Sequence, residues 1–313
     1  MQKICLALLL LPFAIPAFSQ NFGRTANGEL ALRAVQKCFP GNTGEVSFIE
    51  NDWAISAGGE TFLWAGGRLL PLSEKDNADS YAPHYFGIYP ERAASPDTYP
   101  SQYIEFLRSR GNEDAAPAEP RRERRETHHA FQGILYGGLD RREIEALLVR
   151  IDFLGEKVSV HRDIAAALRN VDAEIRRWDG GRDFIASIRN IGGYNWREIA
   201  GTQRMSYHSW GLAVDIQPRR LGSKAIYWRW ERARNENWML VPLENRWNPP
   251  DPVIRAFERE GFIWGGKWPF YDNMHFEYRP ELFELNRLLA ANPESQGGSG
   301  QELHHIAPEF LLK

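Results

Sequence analysis

Apolar and polar positions change period along this chain, and the change marks its organisation. "GELALRAVQKCF" (28–39) places apolar residues at helical spacing, whereas "EVSFIENDWAISAGGETFLWAGGRLLPL" (45–72) reads as short strands punctuated by Gly58-Gly59 and Gly66-Gly67. Two helices are predicted further on. In the first, Asp140 caps, Glu143 completes a capping box, and Ile144, Leu147, Leu148 and Ile151 share a face. The second carries Ile164, Leu168, Val171, Ile175 and Trp178 and ends at Asp179-Gly180-Gly181. Short extended pieces follow: "FIASIRNIGGYNW", "GLAVDIQP", "GFIWGGKW" and "MHFEY". Between them lies a helix with Asp251 as cap, Pro252 in its first turn and Gly261 past its end. A last helix starts at Pro280 and runs through Leu282, Leu285 and Leu289. Helices followed by strands with long connections predict an α+β fold with a small, mainly antiparallel sheet packed with helices.

The segments divide accordingly. Residues 20–110 form an accessory region, partly β, in which no chemical site assembles. Residues 111–126, "GNEDAAPAEPRRERRE", form a charged linker or loop, 127–291 the main domain, and 292–313 a flexible tail. The opening "MQKICLALLLLPFAIPAFSQ" has a positive start at Lys3, an apolar run and a small-residue exit, which reads as a secretory signal peptide over 1–19. The run is too short, and too interrupted by Pro12 and Pro16, for a membrane span.

Composition narrows the chemistry. A formal charge of −3 over 313 residues argues against broad binding to nucleic acid or anionic membranes. After removal of a leader only Cys38 remains, so an internal disulfide and a Cys-rich zinc site are both excluded. Any metal site must use histidines and carboxylates.

Two stretches supply them. In "SYHSWGLAVD", His208 lies in the loop feeding a strand that carries Asp215, and Gly211 and Ala213 keep the path between them slim. By itself such a pair is more often a hydrogen bond at a strand end. In "WPFYDNMHFEYRPE", His275 sits among Met274, Phe276 and Tyr278 on a partly buried strand, with Asp272 at the preceding turn. Glu277 shares a face with His275 by strand alternation and can accept from its second ring nitrogen. Two imidazoles and one carboxylate leave one tetrahedral position open to water, the pattern of a catalytic zinc site. Asp272 suits the general base. Arg197 and Arg204 are both candidates to stabilise negative charge in the transition state.

"SYHSWGLAVDI" and "DNMHFE" together resemble the S-x-H-x-x-G-x-A-x-D and D-x-x-H-F-E motifs of the zinc D-alanyl-D-alanine carboxypeptidase (VanY-type) and L-alanyl-D-glutamate endopeptidase family, in the wider lysostaphin and hedgehog-like zinc peptidase superfamily. The similarity covers roughly residues 160–290. The resemblance implies that His208, Asp215 and His275 bind Zn2+, that Asp272 is the base, and that Ser206 and Gly211 are framework positions. Glu277 stands where the lysostaphin branch has a second histidine, and Asp272 where the vancomycin-resistance dipeptidases have a glutamate. The implied activity is hydrolysis of peptidoglycan stem peptides by an exported enzyme, periplasmic or secreted. The alternatives are an endopeptidase of the same family and a wall-binding or structural zinc domain without turnover.

Other side chains have plainer readings. His84, His128, His129, His161, His304 and His305 have no partner at ligand spacing, and the two paired sets read as solvated surface. Of Trp228, Trp230, Trp238, Trp247, Trp264 and Trp268, most should pack in the core, with one or two at a cleft rim.

Overall fold

The computed structural model describes residues 26–113, 125–199 and 204–292. The leader at 1–19, most of the charged run, His304-His305 and the tail beyond Asn292 lie outside the described residues. Helix α1 (Ala26–Cys38) leads into an antiparallel meander of β1 (Thr43–Ile49), β2 (Asp52–Ala57), β3 (Glu60–Leu63) and β4 (Leu70–Pro71), which lie in that order. Next come α2 (Ser101–Glu113), α3 (Ala130–Tyr136) and α4 (Arg141–Glu145), then a hairpin of β5 (Leu148–Phe153) and β6 (Glu156–His161). Helices α5 (Ala165–Arg177) and α6 (Gly181–Ser187) precede β7 (Ile188–Gly192) and β8 (Ala213–Pro218). The chain ends through α7 (Trp228–Arg232), α8 (Asp251–Arg259), β9 (Phe262–Trp264), β10 (His275–Tyr278) and α9 (Pro280–Ala291). The second sheet runs β7-β8-β10-β9 and is antiparallel throughout, so the fold is α+β.

Two predicted elements are corrected. Ile144, Leu147, Leu148 and Ile151 do not share one helix. Asp140 does cap α4, accepting from the Glu143 amide at 2.8 Å, while the Glu143 carboxylate accepts from the Leu139 amide. The helix stops at Glu145, and Leu148 onward becomes β5, with Ile151 opposite Val158. "LVRIDF" alternates as well as it spirals, and Ile151 and Phe153 are the inward pair of that alternation. Likewise "FIAS" belongs to α6, and extended structure starts only at Ile188. In α8 the cap position is Pro250, so Asp251 contributes first-turn negative charge instead of a side-chain cap.

The second sheet is amphipathic in a way that decides where chemistry sits. Val214 and Ile216 of β8 and Phe276 of β10 enter the main apolar core. Phe276 stacks on Phe257 of α8 at 3.9 Å between ring centroids. The alternate positions, Asp215 on β8 and His275 and Glu277 on β10, face the other way. The same apolar core includes Ala31, Leu32 and Val35 of α1 together with Leu285 and Leu289 of α9, and Lys37 pairs with Glu284 at 3.1 Å. Phe257 is therefore the plug behind the sheet's working face. Phe257→Ala should lower unfolding free energy by about 3–5 kcal/mol, measured by urea denaturation; a loss under ~1 kcal/mol would show that α8 does not brace the sheet.

Candidate metal centre

Antiparallel pairing puts His275 directly across from Asp215, and Asp215 across from Gly192 on its other side. Ala213 lies opposite Glu277. Asp215 and Glu277 thus each have a small cross-strand neighbour on one side, Gly192 and Ala213. His208 arrives from a 3₁₀ turn (Tyr207–Trp210) just before β8. Ser206 caps that turn, its hydroxyl accepting from the His208 amide at 3.4 Å. Gly211 ends it at φ +66°, and a Cβ there would lie 2.7 Å from the His161 backbone nitrogen. The sharp left-handed step, not only slimness, is why glycine stands at this position.

The ligand atoms of His208, Asp215 and His275 all lie within 4.8 Å of one another. The His208 Nδ1 is 2.6 Å from the Gly193 carbonyl oxygen. A carbonyl only accepts, so Nδ1 carries the hydrogen and the Nε2 lone pair points inward. That Nε2 is buried, finds no hydrogen-bond partner among the described residues, and sits 3.1 Å from Asp215 Oδ1. A nitrogen lone pair and a carboxylate oxygen at that distance repel unless a cation or proton lies between them. The His275 Nδ1 is 2.8 Å from the same oxygen, and its Nε2 is 3.1 Å from Glu277 Oε2. Burial disfavours charge on Asp215, and positive charge on the two imidazoles, when they are protonated, outweighs it and holds the carboxyl well below its ordinary range.

Formal charges agree with a divalent ion. Asp215, Glu277 and Glu281 bring three carboxylates near the guanidinium of Arg279, a concentration of negative charge that a doubly charged cation would offset. The donor set of two imidazoles and a carboxylate, with an orphaned lone pair at its centre, fits a metal of the zinc type.

The remaining predicted residues surround this cluster. Asp272 is not among the converging ligand atoms; it lies at the turn before β10, its backbone oxygen accepting from the His275 amide at 3.2 Å. It bridges to Tyr227, whose phenol is pushed up by burial and by Asp272, with Arg229 and Arg197 acting in the opposite direction. The exposed Arg197 therefore belongs to the Asp272 side. Arg204 lines a cleft of about 70 Å³ with His129, Gln132, Trp268, Glu277 and Arg279. The two arginines flank the backbone bridge between Glu198 and Met205.

One reading needs adjustment. His128 and His129 are part-buried, not solvated: His129 sits 2.9 Å from Gln132 Oε1 and packs on Trp210. His161 is fully buried, its Nε2 donating to the Tyr136 carbonyl. The region before residue 110 is not remote from chemistry, since Pro83, His84 and Tyr85 wall the same cleft. Among the tryptophans, Trp228, Trp238 and Trp264 are core, Trp268 lines the cleft 5.7 Å from the His275 ring, and Trp230 is exposed. Tyr227 and Arg279 carry no motif. Arg279 nevertheless follows His275 and Glu277 in the same alternation, and that was a usable signal.

Fold and site together define an α+β protein with a His-Asp-His group able to hold a metal ion on one face of an antiparallel sheet. Residues 200–278, which include every member of that group, match the family described as D-alanyl-D-alanine carboxypeptidase. That match supports a peptidase with a peptide substrate. Residues 31–86 match a family described as a domain of unknown function. No curated protein and no solved structure matches the chain.

Because the ligand atoms stand ready in the folded chain, metal should stabilise it. Zinc at a hundred times its dissociation constant should add about 2.7 kcal/mol to unfolding free energy, raising the melting temperature, with chelator reversing the rise. His208→Ala should abolish the response. An equal zinc-induced shift in that variant would place the ion elsewhere.

Proposed function

We propose that the chain is an exported zinc peptidase that removes the C-terminal residue from peptidoglycan stem peptides. The observation that carries this reading is the convergence of His208, Asp215 and His275 within a segment similar to a D-alanyl-D-alanine carboxypeptidase family. The pattern of residues 1–19 supports export. No helix among the described residues is long and apolar enough to cross a membrane.

His208, Asp215 and His275 would hold the zinc, with the Gly193 carbonyl and Glu277 fixing the outward-facing ring nitrogens. A bound zinc ion supplies Lewis acidity and lowers the pKa of water to about 7. Asp272 takes the proton released as water attacks the scissile carbonyl, then delivers it to the leaving amine. Arg197, sharing Tyr227 with Asp272, stabilises the oxyanion. Arg204, in the cleft with Gln132 and His129, receives the substrate's terminal carboxylate.

Asp272→Ala should retain about one zinc per chain while hydrolysis falls by ~10²–10⁴-fold, the usual contribution of a positioned acid–base group. Mass spectrometry of muropeptides after digestion should show loss of a terminal D-alanine. A cut inside the stem or cross-bridge would instead identify an endopeptidase, and an Asp272→Ala variant as fast as wild type would remove Asp272 from the mechanism.

A further inference from the structure

Behind the metal ligands lies a buried polar chain that ends in the N-terminal region. Glu277, 3.1 Å from His275 Nε2, has its other oxygen 3.6 Å from Arg279 Nη1. Arg279 is 3 % exposed, and burial opposes its charge, but Tyr207, Glu281 and Glu277 outweigh that and hold it firmly protonated. Its Nε donates to Glu281, and its Nη2 donates to the backbone carbonyl of Tyr85. The guanidinium also faces the Tyr207 ring at 5.1 Å and the Phe86 ring at 5.8 Å. Two of these contacts, the Tyr85 carbonyl and the Phe86 ring, come from a stretch almost two hundred residues earlier in the chain.

That stretch is itself pinned to the sheet. The Tyr89 hydroxyl donates to Glu258 at 2.6 Å and accepts from the Trp264 amide of β9 at 2.9 Å. The Tyr89 backbone exchanges two hydrogen bonds with the side chain of Asn286 on α9. Glu258 is further held by Lys267, whose ammonium lies over the Tyr89 ring at 4.4 Å. The segment therefore cannot shift without moving either Arg279 or the strand beside β10.

We propose that the segment Pro83–Tyr89 is a working part of the metal centre: it fixes Arg279, which as a positioning residue fixes Glu277 and, through it, the ring of His275. This gives a task to the end of the region, residues 31–86, that matches a domain of unknown function, and to the residues just after it. Glu277 is a buried charge beside His275, and the guanidinium faces its second oxygen. Held on one side by Arg279, its Oε2 stays in line with Nε2–H and keeps Nδ1 aimed at the ion. The proposal rests on the metal-site reading but not on turnover, because its readout is metal affinity.

The test compares wild type, Arg279→Met, Arg279→Lys and Tyr89→Phe as full chains. Zinc dissociation constants come from chelator competition, the visible spectrum of cobalt(II)-substituted protein reports ligand geometry, and metal-free melting temperatures report the fold. Arg279→Met should weaken zinc binding by about 10–100-fold, the usual cost of removing an outer partner of a metal ligand, with partial recovery in Arg279→Lys. Tyr89→Phe, which touches no ligand, should weaken it by about tenfold, at the low end of that range, and alter the cobalt spectrum. A segment with only a structural role would lower the metal-free melting temperature and leave zinc affinity and the cobalt spectrum at wild-type values. That result for Tyr89→Phe overturns the proposal even if Arg279→Met does not fold. Zinc binding that follows the expected order in a chain without peptidase activity would sustain it while removing the proposed function.

Discussion

The register between β8 and β10 is the constraint on which everything else depends. Strand side chains alternate faces, so a slip of one residue would turn Asp215 or His275 into the core and bring Val214 or Phe276 out. The apolar face prevents that slip. Val214, Ile216 and Phe276 are fully buried, and Phe276 is stacked on Phe257. Packing on one side of the sheet thereby sets the position of the polar atoms on the other. His208 is then brought to the pair by a short turn that only a glycine at position 211 can close.

Electrostatics explains why the cluster suits an ion. Two imidazole nitrogens are directed at one carboxylate oxygen, and one of them has its hydrogen committed to a backbone carbonyl on the far side of the ring. The resulting contact of lone pairs, in a group that also includes buried Glu277 and Glu281, is unfavourable for the bare chain. A divalent cation converts the same geometry from repulsive to attractive, so the cost of assembling the site in the fold becomes binding free energy. Arg279 supplies a buried positive charge that touches Glu277 and Glu281.

Much of this was legible in the sequence because it rests on local spacing. His208, Asp215, Asp272 and His275 stand out by residue type and interval, and the alternation around His275 correctly placed Glu277 on its face. The end of α4 was not legible, since Leu147, Leu148 and Ile151 satisfy a helical period and a strand period equally, and pairing with β6 decides between them. That Arg197 acts on Tyr227 while Arg204 lines the cleft is a tertiary fact without local signature. The same is true of the Tyr85 carbonyl: a backbone atom has no residue type to betray its role, and its partner lies 194 positions away.

The most direct measurement is anomalous X-ray diffraction at the zinc edge from crystals of the zinc-loaded protein. One strong peak should appear above β8 and β10, within about 2.0–2.2 Å of His208 Nε2, an Asp215 carboxylate oxygen and His275 Nδ1. An absence of density between those three side chains, or a peak bound by other residues while the two imidazoles stay apart, would contradict the account.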